Sequence, residues 1–336
     1  MRQVVAAWAE DPSLDITEAC VVAEFVVADP GLAACSRHPL LADAATLGTR
    51  ACGRAGLRRG HRPRAARLVN LVARQQPGRD TSRVDPQIVR HSERPELWDA
   101  LGDLFDGVWP EYNQHGDELN HYWSQLYDVF PEWQFMLIDP ADQTILAEGH
   151  TVPVAWDGTN EDLGPGIDAT IAGAFGLRAA GGQPTAVSAM AAEVPPRHQG
   201  KGLAPIMLRA MAALTREAGL THLIAPVRPS HKDRYPTIPI ERYARWVRDD
   251  GSPFDPWVRV HVRMGACIGP VIPKSLHIVG TVADWESWTK MRFPETGDYV
   301  FPAGLATVRI DREKDTGEYW EPNIWIIHQV SPQAGR

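Results

Sequence analysis

Arg197-His198-Gln199-Gly200-Lys201-Gly202-Leu203-Ala204 is the stretch whose residue types and spacing point most directly to chemistry. Two glycines one residue apart separate a strand-like run, Ala186 to Val194, from a helical run, Leu203 to Ala218. Leu203, Ile206, Met207, Ala210, Met211 and Leu214 fall at helical spacing. A glycine turn feeding a helix N-terminus is an anion site: glycine lets the backbone approach the ligand, and the free N–H groups of the first turn point at it. A pyrophosphate fits such a nest. The pattern is neither G-x-G-x-x-G nor a nucleotide P-loop, because no Gly-Lys-Ser/Thr closes it.

Arg-x-x-Gly-x-Gly after Val194-x-Pro196 resembles motif A of the GNAT superfamily of N-acetyltransferases. The resemblance implies that Val194, Arg197, Gln199, Gly200, Lys201, Gly202, Leu203 and Ala204 hold the pyrophosphate of acetyl-CoA or another acyl-CoA. Fold and direct acyl transfer to an amine, without a covalent enzyme intermediate, are also implied. The family's general acid, usually a Tyr, stands four residues before a helix-ending glycine. Counting back from Gly265 reaches His261, whose imidazole titrates near neutrality. Glu193, at the end of the first motif strand, falls where the family often places a base. Strand alternation expects Val194 to face the core and leaves Glu193 for the acceptor or for solvent. Tyr243 is a weaker substitute acid. Arg228, Arg234 and Arg242 follow the second central strand; an anionic acceptor or ordinary ion pairs would each use them. Three activities stay open: N-acyl transfer to a small-molecule amine, decarboxylation or S-acyl transfer of carrier-bound or CoA acyl thioesters with His261 in the acid position, and non-catalytic CoA binding.

The elements that must position these residues are legible in outline. Amphipathic helices are expected over Glu96 to Phe105 and Glu118 to Phe130, and a strand pair over Gln134 to Ile138 and Ile145 to Trp156, joined by Asp139-Pro140-Ala141-Asp142-Gln143. A helix over Ile167 to Leu177 precedes the motif strand, and a strand over Thr221 to Val227 follows the motif helix. The expected fold is α/β (α+β): a mixed, mostly antiparallel sheet flanked by helices, with parallel strands splayed at the cofactor. An insertion spans 230–254 with a helix at Ile240 to Arg248. A helix at Asp255 to Met264 leads to a C-terminal addition, 274–330, with strand-like Ser275 to Val279 and Ile324 to Gln329.

Composition excludes other classes. The 336 residues carry a net charge of −8, which argues against a specific nucleic-acid partner. Apolar residues make up 44%, ordinary for a chain with a sizeable core. No apolar run has the length of a membrane span, and the first residues make a poor signal peptide. Cys20, Cys35, Cys52 and Cys267 have no metal-ligand spacing, so no metal is expected and a reduced cytoplasm is the simplest compartment. A homodimer is one possible assembly. There are 5 lysines against 29 arginines, as GC-rich coding produces, so arginine abundance is not itself functional. Residues 1–83 read as an atypical extension, with nine arginines and no acid over 50–79; a GNAT-like domain is expected over 84–330.

Overall fold

In the computed structural model the described residues are 85–330. The expected N-terminal extension lies outside them. They form one mixed sheet with helices on its faces, built from β1 (Gln87–Arg90), β2 (Gln134–Ile138), β3 (Ile145–Val154), β4 (Ala186–Glu193), β5 (His222–Val227), β6 (Cys267–Gly280), β7 (Gly297–Tyr299), β8 (Val308–Asp311) and β9 (Thr316–Gln329). Strand order is β1-β2-β3-β4-β5-β9-β8-β7, with β6 also on β9. Only β4 and β5 pair in parallel among the described strands; the remaining pairs are antiparallel.

The helices depart from expectation where local chemistry interrupts them. The helix expected over 96–105 is cut to α1 (Glu96–Asp99), and Gly102 then adopts φ +51° and turns the chain. The helix expected over 118–130 splits into α2 (Asp117–Trp123) and α3 (Leu126–Val129). The break is a tightened turn in which Gln125 N donates to Tyr122 O at 3.0 Å. α4 (Ile167–Ala179) and α5 (Leu203–Glu217) match expectation. In the insertion a 3₁₀ turn at Lys232–Arg234 precedes α6 (Ile240–Tyr243), which stops short of Arg248 because Val247 bridges Pro253 and the chain reverses between them. α7 (Pro256–Arg263) is capped by Asp255, which accepts from Trp257 N and Val258 N. α8 (Val282–Thr289) carries Trp285 and Trp288 behind a Thr281–Asp284 capping box.

The segment read as a C-terminal addition is integral to the sheet. β9 pairs with β5 from His222↔Gln329 to Val227↔Ile324, so the last strand completes the sheet's centre.

α5 buries Leu203, Met207, Leu208, Ala210, Met211, Leu214 and Thr215, and each large apolar side chain there contributes about 1.5–3 kcal/mol. Its contact with β3 is tight: a Cβ at Gly149 would lie 2.3 Å from the Phe135 ring and 2.9 Å from the Met207 methyl. Gly149 therefore faces α5. Its neighbours Glu148 and His150 project from the opposite face, because successive strand residues alternate.

Candidate active site

The β4–β5 ladder holds only at Val187↔Leu223 and Ser188↔Ile224. β4 then continues to Glu193 and β5 to Val227 without pairing. The two strands splay, and a cleft of about 1050 Å³ opens with Ala189 to Val194 on one wall and Ala225 to Arg228 on the other.

The glycine loop sits at the end of the β4 wall. Pro196–His198 forms a short 3₁₀ turn. Gly200 and Gly202 then take φ +73° and +72°, conformations that glycine adopts without strain. Gly202 is the N-cap of α5 and supplies no side-chain cap, and the first turn holds no acid. The first amides of a 15-residue helix are thus left for an external anion. Gln199 Nε2 donates to Val194 O at 3.0 Å, closing the loop on itself. Val194, Gln199 and Ala204 line the cleft. Leu203 is buried in the core. Arg197 Nε and Lys201 Nζ stand 3.2 and 3.3 Å from the two nitrogens of His198.

Glu193 and His261 both line the cleft. The alternation argument placed Val194 in the core, yet Glu193 is the buried residue and Val194 only half-buried. The reason is a bulge. The register passes from Thr151↔Ala189 to His150↔Ala191, so Met190 is an extra residue in β4. That one-residue shift sets Glu193 directly opposite Glu148. Burial raises the carboxyl pKa of Glu193. Trp109 Nε1 donates to its Oε1 at 2.8 Å.

His261 is 1% exposed. Its Nδ1 lies 2.8 Å from His328 Nε2 on β9, and its own Nε2 has no partner. Burial, and to a lesser degree His328, depresses its pKa well below the usual range, so the ring is neutral at neutral pH. Burial also takes His328 down to about 4. Any proton His261 gives is therefore that of a neutral imidazole. Asn323 Oδ1 is a second buried, unpartnered polar atom in the cleft wall.

Two sequence candidates are used otherwise. Tyr243 donates to Asp255 Oδ2 at 2.8 Å, packs with Tyr235, Trp246 and Phe254, and is absent from the cleft lining. It locks the insertion to α7, since Asp255 also accepts from Ser230 N and His231 N. Arg228 is consumed by Glu321 (Nε–Oε2 3.1 Å), Tyr112 OH (3.0 Å) and Ala303 O (2.8 Å). It is not free to grip an anionic acceptor.

Sequence reasoning missed Trp109, Glu148, His150, Glu321 and His328. Only one signal was available: Glu148 and His150 are polar residues two apart in an otherwise apolar strand, hence on one face.

No protein-family profile matches the chain. The chain is 28% identical over 266 residues to arginine N-acetyltransferase avaD of Aspergillus versicolor, covering 70% of this chain and 91% of that one. Among solved structures, the loading GNATL domain of CurA from Lyngbya majuscula is 15% identical, with a TM-score of 0.45 over 73% of this chain and 98% of that one. GphF GNAT-like decarboxylase in complex with isobutyryl-CoA is 17% identical, with a TM-score of 0.44 over 73% and 100%. Likeness at that level carries no functional weight. No helix among the described residues is long and apolar enough to cross a membrane. With the glycine loop at a helix N-terminus, the parallel pair splayed beside it and a sequence match spanning most of both chains, the protein is an acyltransferase similar to the GNAT superfamily of N-acetyltransferases.

Proposed function

We propose that this enzyme transfers an acetyl group from acetyl-CoA to a small cationic amine, with arginine the first acceptor to test because the matched relative carries that name. The observation that carries the reading is the charge of the cleft. Asp106, Glu111, Glu193 and Glu321 line it against a single guanidinium, Arg228, already paired with Glu321. Such a lining attracts a molecule of net positive charge, such as arginine, and repels one of net negative charge, such as a malonyl thioester. Decarboxylation of a malonyl thioester would call for an arginine free to hold the substrate carboxylate, and Arg228 is spent.

The residues have separable roles in this reading. The backbone from Gly200 to Ala204 takes the pyrophosphate and so aims the thioester into the splay. Glu193, buried and drawn toward its protonated form, accepts a proton from the ammonium, leaving a nitrogen lone pair to attack the thioester carbonyl. His261 Nε2 faces the same space as a neutral polar group for the departing sulfur or the carbonyl oxygen. Positioning supplies most of the rate, and acid–base help a further 10²–10⁴-fold, roughly.

Incubation with acetyl-CoA and arginine, agmatine or a neutral amine, read by thiol release and product mass, tests the proposal. Acetylated cationic amine and free CoA are expected. Loss of CO₂ from malonyl-CoA with no amine product would overturn it. Gly202→Asp sets a negative charge beside the phosphates and is expected to weaken CoA binding roughly ten- to a hundredfold by calorimetry; equal affinities would remove the loop from the site.

A further inference from the structure

Glu148, His150 and Glu193 form a buried triangle behind the cleft wall. Register partners Glu148 and Glu193 face one another across β3 and β4, with His150 two residues along β3 on the same face. His150 Nε2 lies 3.4 Å from Glu148 Oε1 and 3.9 Å from Glu193 Oε1.

The hydrogen bonds around the triangle determine where its protons are. Gln134 Nε2 donates to Phe130 O and to Thr151 O, both at 3.0 Å, which fixes the orientation of that amide. Its Oε1 is therefore the atom 3.1 Å from His150 Nδ1, and an oxygen can only accept. So His150 carries its hydrogen on Nδ1, and in the neutral ring Nε2 is a bare lone pair. A lone pair aimed between two buried carboxylates is repelled unless a proton lies between them.

We infer that the triangle holds one proton at rest and takes up a second from the acceptor's ammonium, with Glu148 and His150 acting through Glu193 as positioning residues. The inference rests on Glu193 being the base of the proposed acetyl transfer. Only Glu193 of the three reaches the cleft. At rest two carboxylates, one imidazole and one proton carry a net charge of −1. In the step, an N–H bond of the ammonium breaks, an O–H bond forms at Glu193, and the N–H electron pair stays on nitrogen. The triangle becomes neutral, which its buried setting favours. The freed lone pair forms the C–N bond as the C–S bond breaks. The proton then shed by the new amide nitrogen meets the thiolate, and the one stored in the triangle returns to solvent through the cleft.

The surroundings hold the store without filling it. Trp98 Nε1 and Tyr127 OH donate to Glu148 Oε1 at 2.6 and 3.0 Å, and Trp109 Nε1 to Glu193. None of these neutral donors supplies a counter-charge. The charges that act on the two carboxylates are those of His91, His150 and each other. Burial carries Glu148 up to about 7 and lowers His150, which places the resting proton on the carboxylate side of the pair.

Two variants of the full chain move the pH–rate profile in opposite directions. Glu148→Gln leaves the resting charge at −1 but removes one proton site and sets a permanent neutral N–H donor beside Glu193, so Glu193 binds its proton more weakly. The acid limb of kcat/KM should move down by about one pH unit or more, and the rate at neutral pH should fall roughly ten- to a hundredfold. Tyr127→Phe removes a donor that stabilises the Glu148 carboxylate, so the same limb should move up. CoA affinity and melting temperature, measured alongside, report any loss of fold. Superimposable profiles, shifts in one common direction, or stoichiometric zinc or manganese in the purified wild-type protein would overturn the inference. If wild type acetylates no amine, the proposed function fails instead. The triangle is then read by histidine ¹⁵N NMR against pH: an Nδ1–H tautomer whose Nε2 resonance moves on Glu148→Gln supports the shared proton, and an Nε2–H tautomer overturns it.

Discussion

Glu321 and Glu193 are carboxylates buried in the wall of one cleft, 3% and 7% exposed, and they differ in what surrounds them. Glu321 is met by a guanidinium at 3.1 Å, by Asn113 Nδ2 at 3.2 Å and by the phenols of Tyr112 and Tyr319 at 3.3 and 3.4 Å. Its charge is neutralised in place, and its oxygen is surrounded by donors from three separated parts of the chain. Glu193 meets one indole N–H and, at 3.9 Å, a histidine that carries no fixed charge. A buried acid with a counter-ion joins elements together. A buried acid with only neutral donors is poised to change protonation, which is what a proton-transfer step needs. Burial alone does not separate structural from functional carboxylates; the nature of the partner does.

The largest expected effect lies on the structural side. Arg228→Met leaves Glu321 without its counter-ion and should cost about 3 kcal/mol in urea unfolding, the lower part of the range for breaking a buried pair. The further replacement Glu321→Leu should recover much of that loss, because an apolar pair avoids the desolvation cost. A single variant that unfolds at the wild-type urea midpoint would break the comparison.

Glu193→Gln comes next. Shape and volume are kept while the proton acceptor is lost, so kcat/KM should fall about 10²–10³-fold. Urea stability should stay level or rise, since a neutral amide costs less to bury than a carboxylate. A variant that unfolds readily yet turns over normally would place Glu193 with Glu321.

The smallest effect is the pH dependence of stability at Glu148. Its carboxyl pKa is about 7 when folded, against about 4.3 unfolded. The folded state therefore binds more protons between those values, and stability falls as pH rises through that window. His150, depressed on folding, titrates in the opposite sense and offsets part of the slope. Wild type should lose roughly 2.5 kcal/mol more than Glu148→Gln between pH 5 and 8. Parallel stability curves would remove Glu148 from the set of groups without a counter-ion.

Much of this was legible in the residues. Apolar spacing over Leu203 to Leu214, the two glycines before it and the run after Thr221 specify strand, turn and helix locally, since periodicity and positive-φ glycines act within a few residues. Asp139 to Gln143 marked the β2–β3 hairpin for the same reason: Asp139 Oδ1 accepts from Ala141 N and Asp142 Oδ1 from Thr144 N, each at 2.9 Å. His261 was located by counting along one helix and does face the cleft. Helices interrupted at Gly102 and at Ser124-Gln125 were overextended, because a favourable apolar face does not reveal where a turn tightens.

What tertiary structure alone decided was which polar groups meet. The bulge at Met190 chose the partner of Glu193; a ladder without it would have set Glu193 opposite Ala147 and left Glu148 facing Ala192. Arg228 and Glu321 are 93 positions apart, and His261 and His328 are 67 apart. They meet only because β9, from the far end of the chain, pairs with both β5 and β6. By itself, then, the sequence determined the anion loop, its helix and the likeness to the GNAT motif, because those are written in adjacent residues. Which carboxylate is neutralised and which stays ready to take a proton was decided by strand register and by a closing strand, neither of which has a local signature.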